Sequence, residues 1–220
     1  MQFLQKIPKV YFVAALVLLV IFFATRLYNI LALPIFTDEA IYVRWAQIAK
    51  DDAAWRFISL TDGKQPSFIW LMSFSLAFIK DPLLAGRLVS VFTGLITMIG
   101  LFFVGREVFK SLRIGMISAF LYAIYPMALV YDRMALYDST LGMFMVWSFY
   151  LTVLLARSLR LDVALILGMV IGGGVLTKTS AFFSIYLLPF SFLLVDIKKG
   201  KTFKTIVRWT LLALVVSVVA

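Results

Sequence analysis

The chain has 220 residues, of which 63% are hydrophobic and 15% are charged. The interior of a water-soluble fold of this size could not bury so many apolar side chains, so lipid must solvate part of the protein. It contains no cysteine and no histidine, which excludes disulfides and metal sites built from thiolates or imidazoles. The net charge of +10 does not indicate nucleic-acid binding, because the basic residues lie between apolar runs instead of forming one basic face.

Eight apolar runs follow one another along the chain. They cover residues 10–33, 66–79, 83–104, 114–130, 141–156, 163–176, 181–195 and 206 onward. A spanning helix needs roughly 20 apolar residues, so the shorter runs are ambiguous by length. The first run follows a basic start but lacks a small-residue cleavage site, and we interpret it as a retained anchor. The last run has no polar flank, and we therefore expect the sequence to be part of a longer protein.

The run at 66–79 decides the predicted topology. If it spanned the membrane, the basic loops that follow would lie outside and would invert the positive-inside rule. If it lies at the outer interface, those loops and the amino terminus become cytoplasmic, with twelve Lys and Arg residues against three acidic ones. We therefore predict a cytoplasmic amino terminus and outer segments at 26–82, 131–138 and 177–180, which hold eight of the eleven carboxylates.

The first outer segment contains the densest group of carboxylates. Thr37 can cap a helix over 38–51, and the first turn of that helix carries Asp38 and Glu39. Backbone N–H groups and the helix dipole favour negative charge there. Plain capping is therefore the structural alternative to a catalytic role for the pair.

The same helix has an aromatic stripe. Tyr42 and Trp45 fall on the side that carries Asp38, because residues three and four apart share a helix face. We predict that this helix and the element at 66–79 lie flat at the interface and form a platform over the spans. Lys64, just before the second element, is positioned to bind a phosphate.

The other two outer segments are short. Asp132, Arg133 and Asp138 lie within seven residues, and such a loop can hold an arginine–carboxylate pair. Asp138 precedes a predicted helix, so it can cap that helix or point into a cavity. Lys178 follows a glycine-rich run that favours close helix packing over a nucleotide-binding loop, and its ammonium can face an anion.

Five segments follow one another in the chain: TDEAIYVRWAQIAK, GKQPSFIWL, GRLVSVFTGLITMIGLFFVGREVF, RMALYDSTLGMF and GGGVLTKTS. In this order they resemble the amino-terminal half of GT-C glycosyltransferases, and they are similar to the lipid A aminoarabinose transferases and the protein O-mannosyltransferases. The resemblance implies an all-α polytopic membrane domain of about seven transmembrane helices plus two interfacial helices. Residues 1–220 would form the amino-terminal catalytic module of a longer chain.

The resemblance also implies a reaction. A sugar would pass from a polyprenyl-phosphate donor to a lipid, glycan or protein acceptor, on the non-cytoplasmic face of a bacterial or archaeal plasma membrane. The family's acidic pair corresponds to Asp38 and Glu39, and its lysine before proline corresponds to Lys64. Its second-loop aspartate corresponds to Asp138, and its threonine–lysine turn to Lys178.

The chain departs from the family's pattern at two positions. Gln65 stands where many relatives have the first of two prolines, so the backbone geometry at Lys64 need not match that of the family. Ile41 stands where some relatives have an arginine beside the acidic pair, which suggests a different donor or phosphate clamp.

These residue types suit an inverting transfer, which needs a carboxylate base and cations around the leaving phosphate. We predict Asp38 as base, with Glu39 and Asp138 as further catalytic residues. The predicted substrate-binding residues are Lys64, Arg133, Lys178 and Tyr42.

Three alternatives stay open. A divalent cation with oxygen ligands could be shared by Asp38 and Asp138. A transporter or flippase for a lipid-linked substrate would line a path through the bilayer with charges. A noncatalytic scaffold would bind membrane lipids through its basic residues.

Overall fold

The computed structural model describes residues 8–188, 190 and 200–219. Within these residues the chain is helical and contains no strand. The α-helices are α1 (Lys9–Leu27), α2 (Thr37–Asp51), α3 (Ser67–Ser75), α4 (Pro82–Phe109), α5 (Leu112–Ile124), α6 (Pro126–Tyr131), α7 (Tyr137–Ser158), α8 (Leu161–Val175), α9 (Phe182–Leu187) and α10 (Gly200–Val219). The all-helical prediction is therefore confirmed.

Three helices of the described chain are long and apolar enough to cross a membrane. They are α1, α4 and α7, with 19, 28 and 22 residues. Shorter apolar helices cover Leu112–Ile124, Leu161–Val175 and Val207–Val219. Lys6, Lys198, Lys199 and most of the predicted run after residue 188 lie outside the described residues.

The apolar run at 114–130 is divided between two helices. Residues 114–124 belong to α5 and residues 126–130 to α6, with a break at Tyr125, whose backbone is extended (ψ 121°). Pro126 causes the break, because proline restricts the preceding residue to extended conformations and suits the first position of a helix.

The long helix α4 contacts α1, α5 and α7. Leu18 and Phe22 of α1 share a buried cluster with Val91 and Met98 of α4 and Ala119 of α5. A second cluster joins α7, α8 and α10. The close approach of α8 that its glycines predict is also confirmed, because a Cβ at Gly168 would lie 2.6 Å from Val216 Cβ of α10.

The two predicted platform helices pack side by side. Phe68, Ile69 and Met72 of α3 are fully buried in a cluster that includes Ala46 of α2. The hydroxyl of Ser73 donates to the carbonyl oxygen of Ala46 at 3.0 Å. The second helix is shorter than predicted, since it covers Ser67–Ser75 and is followed by turns.

The three segments predicted on the outer side meet at one end of the helices. The Ser67 backbone N–H donates to the carbonyl oxygen of Leu176, just before the third segment, at 3.0 Å, and the Ser67 hydroxyl lies 2.7 Å from that of Thr177 within it. The Tyr137 hydroxyl donates to the carbonyl oxygen of Gln65 at 2.8 Å. Together these contacts bring the first, second and third segments into one surface, which we call the platform end.

Candidate active site

A cavity of about 490 Å³ opens at the platform end. Its walls come from the start of α2, the turn before α3, the start of α7 and residues 177–180. Two carboxylates and two ammonium groups line it, and they belong to Asp38, Lys64, Asp138 and Lys178. Four residues that are distant in sequence are thus brought together.

The first wall is the stripe on α2. Asp38 and Tyr42 lie one helical turn apart and both line the cavity. The Tyr42 side chain is buried, with its ring edge-on to Tyr137 at a centroid distance of 4.7 Å. Burial raises the pKa of the Tyr42 phenol to about 12, and the charges of Asp38 and Asp138 add to this rise. The phenol is therefore neutral at physiological pH.

An ion pair between Lys178 and Asp138 forms another part of the cavity wall. The Lys178 ammonium lies 2.8 Å from Oδ1 of Asp138, which is in the first turn of α7. Both side chains stay partly open to solvent, at 45% and 40% exposed. Asp138 therefore points into the cavity, one of the two orientations that the sequence allowed.

The turn that carries Lys178 is held by hydrogen bonds. The Thr177 hydroxyl lies 2.7 Å from that of Ser67 and donates to the Gly173 carbonyl oxygen at 2.8 Å. The backbone N–H of Lys178 donates to the Gly174 carbonyl oxygen at 2.9 Å. The end of α8 is thereby fixed to the start of α3.

Lys64 reaches the cavity from a tight turn. Gly63, immediately before it, has a left-handed backbone with φ +66°, which favours glycine. The Lys64 backbone N–H then donates to the Ser59 carbonyl oxygen at 3.0 Å. In the part of the chain that the structure describes, neither Lys64 nor Asp38 forms an ion pair, so one cation and one carboxylate of the cavity are uncommitted.

Glu39, the neighbour of Asp38, does not line the cavity. Its carboxylate is fully buried and forms a two-point ion pair with Arg87 of α4. Nε of Arg87 lies 3.0 Å from Oε1, and Nη2 lies 2.9 Å from Oε2. The same guanidinium donates to the Ile30 carbonyl oxygen at 2.6 Å.

Glu39 also accepts two backbone hydrogen bonds. Oε1 accepts from the Ala135 N–H at 2.6 Å, and Oε2 accepts from the Phe36 N–H at 3.0 Å. The prediction that Thr37 caps α2 is wrong, because the helix begins at Thr37 and Glu39 reaches back to the N–H of the preceding residue. Glu39 thus ties the start of α2 to α4 and to the segment before α7.

Sequence reasoning missed Arg87, although a signal was present. An arginine within the apolar run 83–104 is expensive in lipid and requires a buried partner. With Glu39 as that partner, four oxygen acceptors surround the guanidinium, including the Ile30 and Pro34 carbonyls.

The second outer loop holds an arginine–carboxylate pair, but its arginine comes from another helix. Oδ2 of Asp132 lies 3.3 Å from Nη2 of Arg26 at the end of α1, and both side chains are buried. Oδ1 accepts hydrogen bonds from Tyr122 at 3.0 Å and Ser139 at 2.7 Å.

Arg133 is not brought to the cavity. Its Nη2 donates to the carbonyl oxygens of Tyr28 at 2.8 Å and Asn29 at 3.0 Å. These bonds connect the loop before α7 to the loop after α1. The guanidinium therefore fastens two loops together.

The cavity offers two carboxylates to a cation, from Asp38 and Asp138. Among the described residues, no group of three or more Asp or Glu side chains is arranged to hold a metal ion. Two carboxylates with waters or substrate phosphate oxygens suit a Mg²⁺-like ion, so the donor set fits the divalent cation left open above.

Comparison with known proteins gives one family. The family model described as dolichyl-phosphate-mannose-protein mannosyltransferase matches residues 63–220. The match includes Lys64, Asp138 and Lys178 and begins after Asp38. No curated protein and no solved structure matches the chain.

Proposed function

The chain belongs to the dolichyl-phosphate-mannose-protein mannosyltransferase family, and on this premise we propose that its cavity catalyses sugar transfer from a polyprenyl-phosphate donor. Family membership implies an integral-membrane glycosyltransferase with a lipid-linked sugar donor. We further propose that residues of the cavity catalyse the transfer on the non-cytoplasmic face. The acceptor is a hydroxyl or amine group of a lipid, glycan or protein.

One observation carries the proposal. The cavity combines Asp38, a carboxylate without an ion pair among the described residues, with the ammonium groups of Lys64 and Lys178. An inverting transfer needs this combination, because a base must receive the acceptor proton while cations stabilise the leaving phosphate. The polar walls also suit a sugar better than a lipid chain.

Asp38 takes the proton from the acceptor hydroxyl or amine in the proposed reaction. The acceptor atom attacks the anomeric carbon of the sugar, and the bond from that carbon to the phosphate oxygen breaks. The electron pair leaves with the polyprenyl phosphate, and the configuration at the anomeric carbon inverts. Tyr42, neutral at physiological pH, lines the cavity one helical turn from Asp38 and contacts the sugar.

Lys64 and Lys178 bind the developing negative charge on the phosphate. Asp138 keeps the Lys178 ammonium in the cavity through their 2.8 Å ion pair. Asp138 is therefore a positioning residue unless a divalent cation replaces the ammonium. The carboxylates of Asp38 and Asp138 would hold such a cation, which would supply further charge neutralisation of the phosphate.

Glu39 and Arg87 act at a distance from the reacting atoms. Their buried pair fixes the first turn of α2, and with it the backbone that carries Asp38. We therefore assign Glu39 a positioning role. The sequence-based role of Arg133 in phosphate binding is not part of the proposal, since its guanidinium binds backbone carbonyls.

The test uses the full chain in membranes supplied with radiolabelled polyprenyl-phosphate sugars. Loss of label from the lipid fraction is compared for the wild type, Asp38→Asn and Asp51→Asn. Asp51 is the matched control because it lies on the same helix but not in the cavity. We expect Asp38→Asn to slow transfer by about 10²–10⁴-fold and Asp51→Asn to leave it unchanged.

The other outcomes are equally informative. Equal transfer by wild type and Asp38→Asn removes Asp38 as the base. Movement of intact lipid-linked sugar across the bilayer without transfer would instead support the transporter or flippase.

A further inference from the structure

A second, apolar groove of about 600 Å³ lies between the first half of α1 and helices α4 and α5. Its open end is marked by Lys9 at the start of α1 and Leu112 at the start of α5. Its inner end reaches Leu19, Met98 and Ala119. Because α4 runs from the platform end to this groove, the groove and the Asp38 cavity lie at opposite ends of the helices.

The groove exists because α1 is anchored at only one end. Phe22 and Arg26, in its second half, are fully buried, and Arg26 is paired with Asp132. In the first half, Phe12, which lines the groove, is 66% exposed. The first half of α1 thus lacks close packing against α4 and α5, and a gap opens between them.

The walls suit a hydrocarbon chain. Phe12 of α1 and Phe102 and Phe103 of α4 line the groove, and Met98 and Met116 supply side chains that adapt their shape. Apart from Lys9 and Tyr11, the lining residues are apolar, so water has few polar partners there and an apolar occupant is favoured in a bilayer. From Lys9 to Leu19 the rise is about 15 Å, half of the roughly 30 Å hydrocarbon core. The groove therefore has the depth of one leaflet.

A positive charge marks the open end. Lys9 is the charged residue among those that line the groove, and Arg113, next to Leu112, is exposed at the start of α5. Neither side chain forms an ion pair in the described part of the chain. Each basic group near an anionic lipid surface contributes about 1 kcal/mol to binding. Charge and depth together favour a lipid with an anionic head group.

We propose that this groove binds one anionic phospholipid, with an acyl chain between α1, α4 and α5 and its phosphate on Lys9. The lipid belongs to the leaflet at which α1 begins, so it is distinct from the sugar donor at the platform end. It fills the gap beside α1 and supports the helix whose far end holds the buried pair with Asp132.

The experiment measures retained lipid by native mass spectrometry of the full chain. The protein is exchanged into micelles containing either phosphatidylglycerol or phosphatidylcholine of the same acyl length. We expect one phosphatidylglycerol to be retained and phosphatidylcholine to be lost. Lys9→Gln should weaken phosphatidylglycerol binding about fivefold. Lys50→Gln, a cation at the platform end, should not change it.

A second pair of variants tests the groove itself. Ala15→Phe places a ring inside the groove, whereas Val13→Phe adds the same ring on the lipid-exposed side of α1. Only Ala15→Phe should abolish retention, and thermal unfolding of both variants checks that they are folded. Equal retention of both lipids, unchanged retention in Ala15→Phe, or no retained lipid in the wild type overturns the proposal.

Discussion

Glu39 and Arg87, 48 residues apart, form a two-point ion pair in which neither side chain is exposed. The carboxylate has two further backbone donors, and the guanidinium has two further carbonyl acceptors. A buried pair of this kind need not be more stable than an apolar replacement, but removal of one partner leaves an uncompensated charge. Its position beside Asp38 makes it a determinant of the cavity.

Replacement of Arg87 by methionine should destabilise the fold by about 3–5 kcal/mol, because the Glu39 carboxylate would remain buried without a cation. Denaturant unfolding in detergent micelles measures the change. Arg44→Met, on the exposed side of α2, is the matched control and should change stability by no more than about 0.5 kcal/mol.

The double variant Glu39→Gln/Arg87→Met distinguishes pairing from packing. It leaves no buried charge at this position, so it should recover part of the stability lost in Arg87→Met. If the stability losses of Glu39→Gln and Arg87→Met, measured separately, simply add in the double variant, the pair is not the source of the stability.

Gly94→Ala should destabilise the protein by about 1–3 kcal/mol, because the site is already filled. A Cβ at Gly94 would lie 2.5 Å from Cγ of Asp132, whose carboxylate is held by Arg26. Gly142→Ala is the matched control in a neighbouring helix, since its Cβ would meet nothing within 4 Å. Thermal unfolding of both variants provides the measurement, and equal stability would mean that Asp132 can move away.

Much of the platform end could be predicted from the sequence. The apolar runs and the positive-inside asymmetry brought residues 26–82, 131–138 and 177–180 to one side, and the structure confirms that they meet there. The stripe of Asp38 and Tyr42 follows from helical spacing alone. These features depend on local periodicity and on charge sign, both of which are visible in a single sequence.

The pairing of buried charges could not be predicted in the same way. Glu39 and Asp38 are adjacent carboxylates with similar sequence surroundings, yet one is buried against Arg87 and the other lines the cavity. Which partner each charge finds depends on helix rotation and on contacts between distant segments. Asp132 shows the same limit, because its partner Arg26 lies 106 residues away, not next to it.

The pair between Asp138 and Lys178 should matter more for transfer than for stability. Both side chains are partly exposed, so its loss should cost no more than about 1 kcal/mol of stability. Lys178→Met should lower kcat/KM for the polyprenyl-phosphate sugar by about 10²–10³-fold, because it removes a cation from the leaving phosphate. Lys80→Met, outside the cavity, is the control.

Asp138→Asn then identifies the role of the carboxylate. If Asp138 only positions Lys178, the double variant Asp138→Asn/Lys178→Met should be no slower than Lys178→Met alone. A further decrease would show that Asp138 acts on the substrate or a cation directly. Initial transfer rates with and without added Mg²⁺ separate these two cases.

Tyr42 should ionise at a higher pH than an ordinary tyrosine, with a pKa of about 12, because burial and the nearby carboxylates disfavour the phenolate. A raised pKa in the folded state stabilises the protein below the ordinary value of 10.0, and this contribution is lost as the pH rises from about 10 to 12.

The difference in phenolate absorbance between wild type and Tyr42→Phe reports this one group. In an Asp38→Asn background the pKa of Tyr42 should fall, because one of its causes is removed, whereas Asp51→Asn should leave it unchanged. An unchanged titration in the Asp38→Asn background would mean that Asp38 does not interact with the Tyr42 phenol.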